Sequence, residues 1–289
     1  MQININNLSK KFSGKSALTD VNLTICQGMF GLLGRNGAGK TTLMRILATL
    51  INKSSGEISI CGINILKTKE LRKLIGYLPQ DFSVYPNLSV YEAMDYLGVL
   101  SEVPSSERKK VIPELLEKVN LLDCKKVKVR ALSGGMKRRL GIAQAILHNP
   151  KVLIVDEPTA GLDPKERIRF RNLLCELAKD KIVILSTHII GDIEATCENI
   201  GILDNGSLIF KGTVQELKSK AEGKVFSMNV KPDELERIKQ EYIITGMIML
   251  GDSISIRVIS DVPPSDNAQI CEPNIEDSYM LMIGGIDNV

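Results

Sequence analysis

The sequence predicts an α/β fold: a parallel sheet covered by helices, with a small α+β unit appended at the C-terminal end. Three observations carry that expectation. Four short apolar runs, GMFGLL (28–33), LIGYL (74–78), KVLIV (151–155) and KIVIL (181–185), lack the alternation of a half-exposed strand and read as strands buried on both faces. Each run stops in a polar cluster, and open parallel sheets gather ligands beyond the carboxyl ends of their strands. Finally, the charge balance changes along the chain. Residues 223–289 carry 5 Lys/Arg against 11 Asp/Glu, net −6, while the first 222 carry 32 against 23, net +9. The larger part suits an anionic ligand or surface.

The first strand runs into GRNGAGKTT, which fits GxxxxGK[ST] from Gly34 to Thr41 and is followed by the helical pattern TTLMRILATL. In such a loop the backbone N–H groups and the helix N-terminus cradle phosphates. Gly34, Arg35, Asn36, Gly37, Ala38, Gly39, Lys40, Thr41 and Thr42 are therefore candidate nucleotide-binding residues. Lys40 would neutralise the β- and γ-phosphates and Thr41 would offer its hydroxyl to Mg²⁺. The second strand ends at Pro79-Gln80. About fifty residues of helical character follow, including LSVYEAMDYLGVL and SSERKKVIPELLEKVNLLD, within an insert spanning about 82–140. Val90, Met94 and Leu97 share one helical face and are expected to pack in a core.

LSGGMKRRLGIAQAIL (132–147) then opens a helix at Ser133-Gly134-Gly135, whose free N–H groups and dipole form a second anion seat. The third strand closes on Asp156-Glu157. Neighbours on a strand point to opposite sides and can take different jobs: Asp156 to hold the metal's water shell, Glu157 to accept a proton from an attacking water. The fourth strand ends in Ser186-Thr187-His188, which puts His188 at a strand tip as a γ-phosphate contact.

Other classes are disfavoured. No apolar run approaches the roughly 18–20 residues of a membrane-spanning helix, and MQININNLSKKF lacks the apolar core of a signal peptide, so the chain is expected in the cytoplasm. Six cysteines (Cys26, Cys61, Cys124, Cys175, Cys197, Cys271) form no CxxC pair and read as reduced thiols. KKVKVR (125–130) and KRR (137–139) read as solvated helix faces near a phosphate site and a membrane surface, not as a nucleic-acid interface.

In order, GRNGAGKTT, Gln80 in GYLPQDF, LSGGM, LIVDE, AGLDP and His188 resemble the Walker A, Q-loop, signature, Walker B, D-loop and H-loop motifs of the ATP-binding subunits of ABC transporters, across residues 1 to about 215. The resemblance implies a P-loop NTPase of the ABC type, with a RecA-like parallel sheet core, an antiparallel β subdomain and a helical subdomain. It implies ATP and Mg²⁺ as ligands, with catalytic Glu157, His188, Lys40 and Gln80, and metal contacts from Thr41, Gln80 and Asp156. It adds Asp163 of the D-loop and an adenine-stacking aromatic, here Phe12, to the nucleotide-binding set. Two cassettes of this family meet head to tail, each ATP lying between one P-loop and the other chain's Ser133-Gly134-Gly135 seat. A second cassette, identical or not, and a separate transmembrane permease are thus implied partners, which would make the chain peripheral on the inner face of the cell membrane. Two positions depart from the usual pattern: Met136 stands where the signature commonly has glutamine, and Phe12 where tyrosine is frequent. A cytosolic ATP switch of the same superfamily and a P-loop small-molecule kinase are the rival readings. The single cassette and short insert count against the first, and LSGGM and His188 against the second.

The second domain is expected over 216–289. VFSMNV reads as a strand, PDELERIKQE as a helix, then two strands turning at Gly251-Asp252. VPPSD is a linker, and PNIEDSYMLMIGG a final helix capped by Asn274 and stopped at Gly284. Its EPNIED segment resembles the tails of single-cassette export ATPases that move drugs, peptides or lipid-linked polymers.

Overall fold

The computed structural model describes residues 1–159 and 161–284. Ala160 of AGLDP and the last five residues lie outside the described residues. The chain divides into two compact units, Met1–Leu208 and Ile209–Val289.

The first unit opens with long strands β1 (Gln2–Phe12) and β2 (Lys15–Cys26), followed by β3 (Gly28–Leu33) and helix α1 (Lys40–Leu47). Next come β4 (Ser55–Ile60), β5 (Ile63–Asn64), α2 (Thr68–Arg72) and β6 (Ile75–Leu78). Helices α3 (Val90–Leu100), α4 (Ser105–Lys118) and α5 (Gly134–Ala145) form the insert. The core then resumes with β7 (Val152–Asp156), α6 (Pro164–Ala178), β8 (Ile182–Thr187), α7 (Ile190–Thr196) and β9 (Asn199–Asp204). The unit ends within β10 (Ser207–Thr213), the strand that lies beyond β9.

The fold class is the one expected. Strands β9-β3-β8-β7-β6 are neighbours in that order, every pair parallel. All four apolar runs form strands of this sheet, and Val152–Val155 and Ile182–Leu185 are buried throughout. Removing each such side chain from water contributes about 1.5–3 kcal/mol, so this sheet is the rigid base of the molecule. Register does the positioning. Leu33 pairs with Thr187 and Asp156 with Ser186, so β3, β7 and β8 finish level and deliver their polar clusters to one edge. The antiparallel sheet β2-β1-β4-β5 packs Ile3, Ile5, Leu18, Leu23 and Ile58 into the same core as Leu43, Met44 and Leu47 of α1. It thereby holds the first helix from behind.

The second unit contains α8 (Val214–Ser219), β11 (Val225–Val230), α9 (Leu235–Glu241), β12 (Ile243–Leu250), β13 (Ser253–Ile259), β14 (Gln269–Ile270) and α10 (Ile275–Met282). Its sheet runs β12-β13-β11-β14, all antiparallel. Phe226, Met228, Ile254, Ile256 and Val258 pack with Ile238 of α9 on one side. Asn274 caps α10 in a capping box with Asp277, and Gly284 follows it at φ +66°. Asp277 also receives Arg257 of β13 (Nη2 to Oδ2, 2.7 Å) and the Thr245 hydroxyl (2.5 Å). The two-residue strand β14 was not expected, since so short a segment has no periodicity to read.

Candidate functional site

Residues 34–39 leave β3 as a loop closed by Ala38 N–H donating to Arg35 O (3.1 Å), and α1 starts at Lys40. Glycine is required at Gly39, where φ is +106° and a Cβ would fall 2.7 Å from Ala17 O. Arg35, Asn36 and Gly37 are exposed; Thr41 and Thr42 are half-buried. Lys40 is 95% withdrawn from solvent, at 5% exposure, and its ammonium donates to Gly34 O (2.6 Å) and Arg35 O (3.2 Å). The same ammonium lies 3.4 Å from Glu157 Oε1.

Glu157 departs from the simple strand expectation. β7 ends at Asp156, and Glu157 adopts φ +47°, outside the extended region, so the two carboxylates are not turned to opposite sides as strand alternation had suggested. Both meet the start of α1, Asp156 through Thr41 and Glu157 through Lys40. A left-handed non-glycine residue stores about 1–2 kcal/mol of strain. It is held there by its N–H donating to Ser186 O (3.1 Å) and by side-chain contacts on both carboxylate oxygens. His188 Nδ1–H donates to Glu157 Oε2 at 2.8 Å, while Oε1 faces Lys40.

Asp156 is fully buried. Its Oδ1 accepts from the Ser186 hydroxyl (2.5 Å) and, more loosely, from Thr41 (3.4 Å). Its Oδ2 is buried without a hydrogen-bond partner. An orphaned carboxylate oxygen beside a threonine hydroxyl is an all-oxygen donor set suited to a hard divalent cation. The residues therefore fit Mg²⁺. Nearby, burial chiefly, and then the Asp156 charge, push the Tyr77 hydroxyl above its usual range.

Gln80 lies exposed, two residues past β6. Phe12 is 46% exposed at the end of β1, with the Lys10 ammonium 4.6 Å from its ring centroid, so it is no part of the core. Asp163 caps α6 through its Oδ1, which accepts from Glu166 N–H (2.9 Å). Ser133 caps α5, accepting from Met136 N–H (3.2 Å), with Gly134 and Gly135 as the first helical residues. Among the described residues, no hydrogen bond joins Phe12, Gln80, Ser133, Gly134, Gly135 or Asp163 to the Lys40–Asp156–Glu157 group.

Two readings need correction. The KRR segment is not a solvated face. Arg138 is half-buried and donates to Pro79 O (3.3 Å) beside Gln80, and Arg139, 13% exposed, pairs with Glu166. Consecutive residues on a helix are about 100° apart, so three adjacent cations meet three different environments. Leu97, expected in the core with Val90 and Met94, instead lines a cleft of about 690 Å³ together with Phe82, Tyr85, Pro86, Val129 and Lys137. Tyr85 is 57% exposed and meets Tyr96 edge-on at 5.3 Å. Ser186, the partner of Asp156, was not among the expected site residues; its signal was a hydroxyl directly after four residues of buried strand.

Comparison with known proteins decides what this constellation belongs to. Residues 18–160 match the family profile described as ABC transporter. The ABC transporter ATP-binding protein YxlF of Bacillus subtilis is 35% identical over 261 residues, covering 90% of this chain and 87% of that one. The chain belongs to the ABC transporter ATP-binding proteins. The linearmycin resistance ATP-binding protein LnrL of the same organism is 36% identical over 75% of this chain and 71% of its own. Among solved structures, a dimeric ATP-binding cassette in a post-hydrolysis state, bound to ADP and Pi, superposes with a TM-score of 0.66. It is 28% identical and covers 73% of this chain and 98% of that one. The cassette described here is thus an ATP-binding subunit of an ABC transporter, of a family whose members hydrolyse ATP, dimerise and work with transmembrane subunits. Among the described residues, no helix is long and apolar enough to cross a membrane.

Proposed function

We propose that this cassette is an Mg-dependent ATPase whose bound ATP closes it against a second cassette, and whose hydrolysis releases that closure to move a separate transmembrane permease. One observation carries the reading: Lys40, Thr41, Asp156, Glu157 and His188 converge on a single sheet edge, whereas the signature helix presents its N-terminus outside that group. Lys40, Thr41 and the rest of residues 34–42 bind the phosphates, and Phe12 stacks on adenine. Thr41 and Asp156 hold Mg²⁺, with Gln80 as a further oxygen donor; when bound, the ion supplies charge neutralisation of the β- and γ-phosphates. Glu157 is the general base and His188 orients it. Ser133, Gly134, Gly135 and Asp163 act on nucleotide held by the second chain.

The exposed cleft of Phe82, Tyr85, Pro86 and Leu97 suits a helix of the permease. Single cysteines at positions 85 and 86 should crosslink to it; full ATPase activity with no crosslinks would count against this docking site. Export of a drug, peptide or lipid-like substrate is supported by the EPNIED tail and by the resistance function in the name of LnrL. We take 1–215 as the cassette proper, peripheral on the cytoplasmic face of the membrane, and 216–289 as an accessory domain. The deciding test is Glu157→Gln. Loss of a general base should slow hydrolysis by about 10² to 10⁴ while preserving ATP binding; turnover at the wild-type rate would refute the assignment.

A further inference from the structure

The signature helix carries an ion pair that the reaction chemistry leaves unused. Arg139 Nε of α5 lies 3.1 Å from Glu166 Oε2 of α6, with side chains 13% and 17% exposed. The Arg139 Nη1 also donates to Val119 O (3.0 Å) and Asn120 O (3.1 Å) at the end of α4. Glu166 is the residue whose N–H is capped by Asp163, and its other oxygen accepts from Arg169 (3.0 Å). It also touches the signature itself: a Cβ on Gly135 would fall 3.2 Å from Glu166 Cγ and Oε2. One guanidinium therefore ties three elements together within a few ångströms of the second anion seat. It also neutralises a carboxylate that would otherwise sit beside a seat meant for phosphate.

We propose that the Arg139–Glu166 pair is a positioning strut that locks the signature seat to the Asp163-capped start of α6, so that the face offered to the second cassette moves as one piece. Neither residue touches Lys40, Thr41, Asp156 or Glu157, so the strut acts on closure and leaves ATP binding at this chain's own P-loop unchanged. The inference rests on the two-cassette reading above. A flexible surface pair would contribute little, but here both groups are withdrawn from water, the Arg139 Nη1 is fixed by two carbonyls, and the Nε, which makes no hydrogen bond of its own, meets Glu166 as a charge contact at 3.1 Å.

The test compares Glu157→Gln, as the parent, with Glu157→Gln carrying Glu166→Gln, and with Glu157→Gln carrying Arg139→Lys, each as the full chain with Mg-ATP. Sedimentation velocity reads dimerisation, a fluorescent ATP analogue reads nucleotide affinity of the monomer, and thermal unfolding reads stability. Glu166→Gln keeps the shape of the side chain and removes its charge. The strut predicts that it raises the ATP concentration for half-maximal dimerisation roughly tenfold, within the range of measured coupling between contacting residues. Monomer affinity and melting temperature should stay near the parent's, and Arg139→Lys, which keeps the charge, should lie between the two. In the Glu157-intact protein the same substitution should lower kcat with little change in KM. Parallel losses of stability and nucleotide affinity, or dimerisation at the parent's ATP concentration, would overturn the strut alone. A parent that stays monomeric would overturn the two-cassette reading for copies of this chain, and the strut with it.

Discussion

Lys40 and Glu157 face each other across 3.4 Å, and His188 holds the far side of the same carboxylate at 2.8 Å. On the proposed assignment, arriving phosphates would compete for the Lys40 ammonium and leave the Glu157 carboxylate to His188. Lys40→Ala should therefore abolish ATP binding outright, in contrast to Glu157→Gln, which should bind ATP and stall; equilibrium binding of labelled ATP separates the two. Ser186 donates to Asp156 Oδ1 at 2.5 Å and aims the free Oδ2. Removing an orienting partner of a metal ligand typically costs 10- to 100-fold in metal affinity. Ser186→Ala should raise the Mg²⁺ concentration for half-maximal ATPase activity by roughly that factor, and an unchanged Mg²⁺ titration would remove Asp156 from the metal site. Met136, in contrast, contributes its backbone N–H to the Ser133 cap, a contact any residue can make, so Met136→Gln should leave the cap intact.

At the scale of elements, the strand ends were legible because a doubly buried strand must be apolar throughout and can turn polar only where it leaves the sheet. The neighbour order was not. Each of the four runs is equally apolar, and nothing in them says that β8 lies between β3 and β7, which is what brings Ser186 against Asp156. The left-handed turn at Glu157 was hidden for a similar reason, since glutamate has no preference for it and tertiary contacts impose it. In the tail, EPNIED was read as a family mark, and the structure supplies its physics: Asn274 and Asp277 form the capping box, and Asp277 anchors α10 to β13 through Arg257. Burial by itself would raise the Asp277 carboxyl, but hydrogen bonds from Arg257 and Thr245 outweigh it and hold the group below its usual range. A depressed carboxylate contributes stability above its unfolded pKa of about 3.9, and that stability is lost as pH falls through the folded value. The melting temperature of the second unit in the full chain should thus begin to fall as pH drops below about 4 and continue falling through the lower folded value. Asp277→Asn, which leaves Arg257 half-buried without its partner, should destabilise it by about 3 kcal/mol at neutral pH. A variant that melts like the parent at pH 7 would show the pair to be dispensable.

For the whole molecule, the two units divide labour by charge as well as by fold: the basic cassette binds an anion, and the acidic C-terminal unit carries none of the residues assigned to nucleotide. Deleting 223–289 should weaken assembly with the second cassette or the permease while sparing ATP binding; unchanged assembly and transport would leave the tail without either role. The cassette itself carries the glycine-rich loop at the start of α1 and a second helix start, at Ser133, that among the described residues makes no hydrogen bond to the Lys40–Asp156–Glu157 group. That separation is the ground on which a second cassette is proposed. It is tested most directly by sedimenting the Glu157→Gln chain with and without saturating Mg-ATP, alone and mixed with any cognate cassette. A dimer that forms only with nucleotide is the predicted result, and a monomer under every one of those conditions would contradict the account.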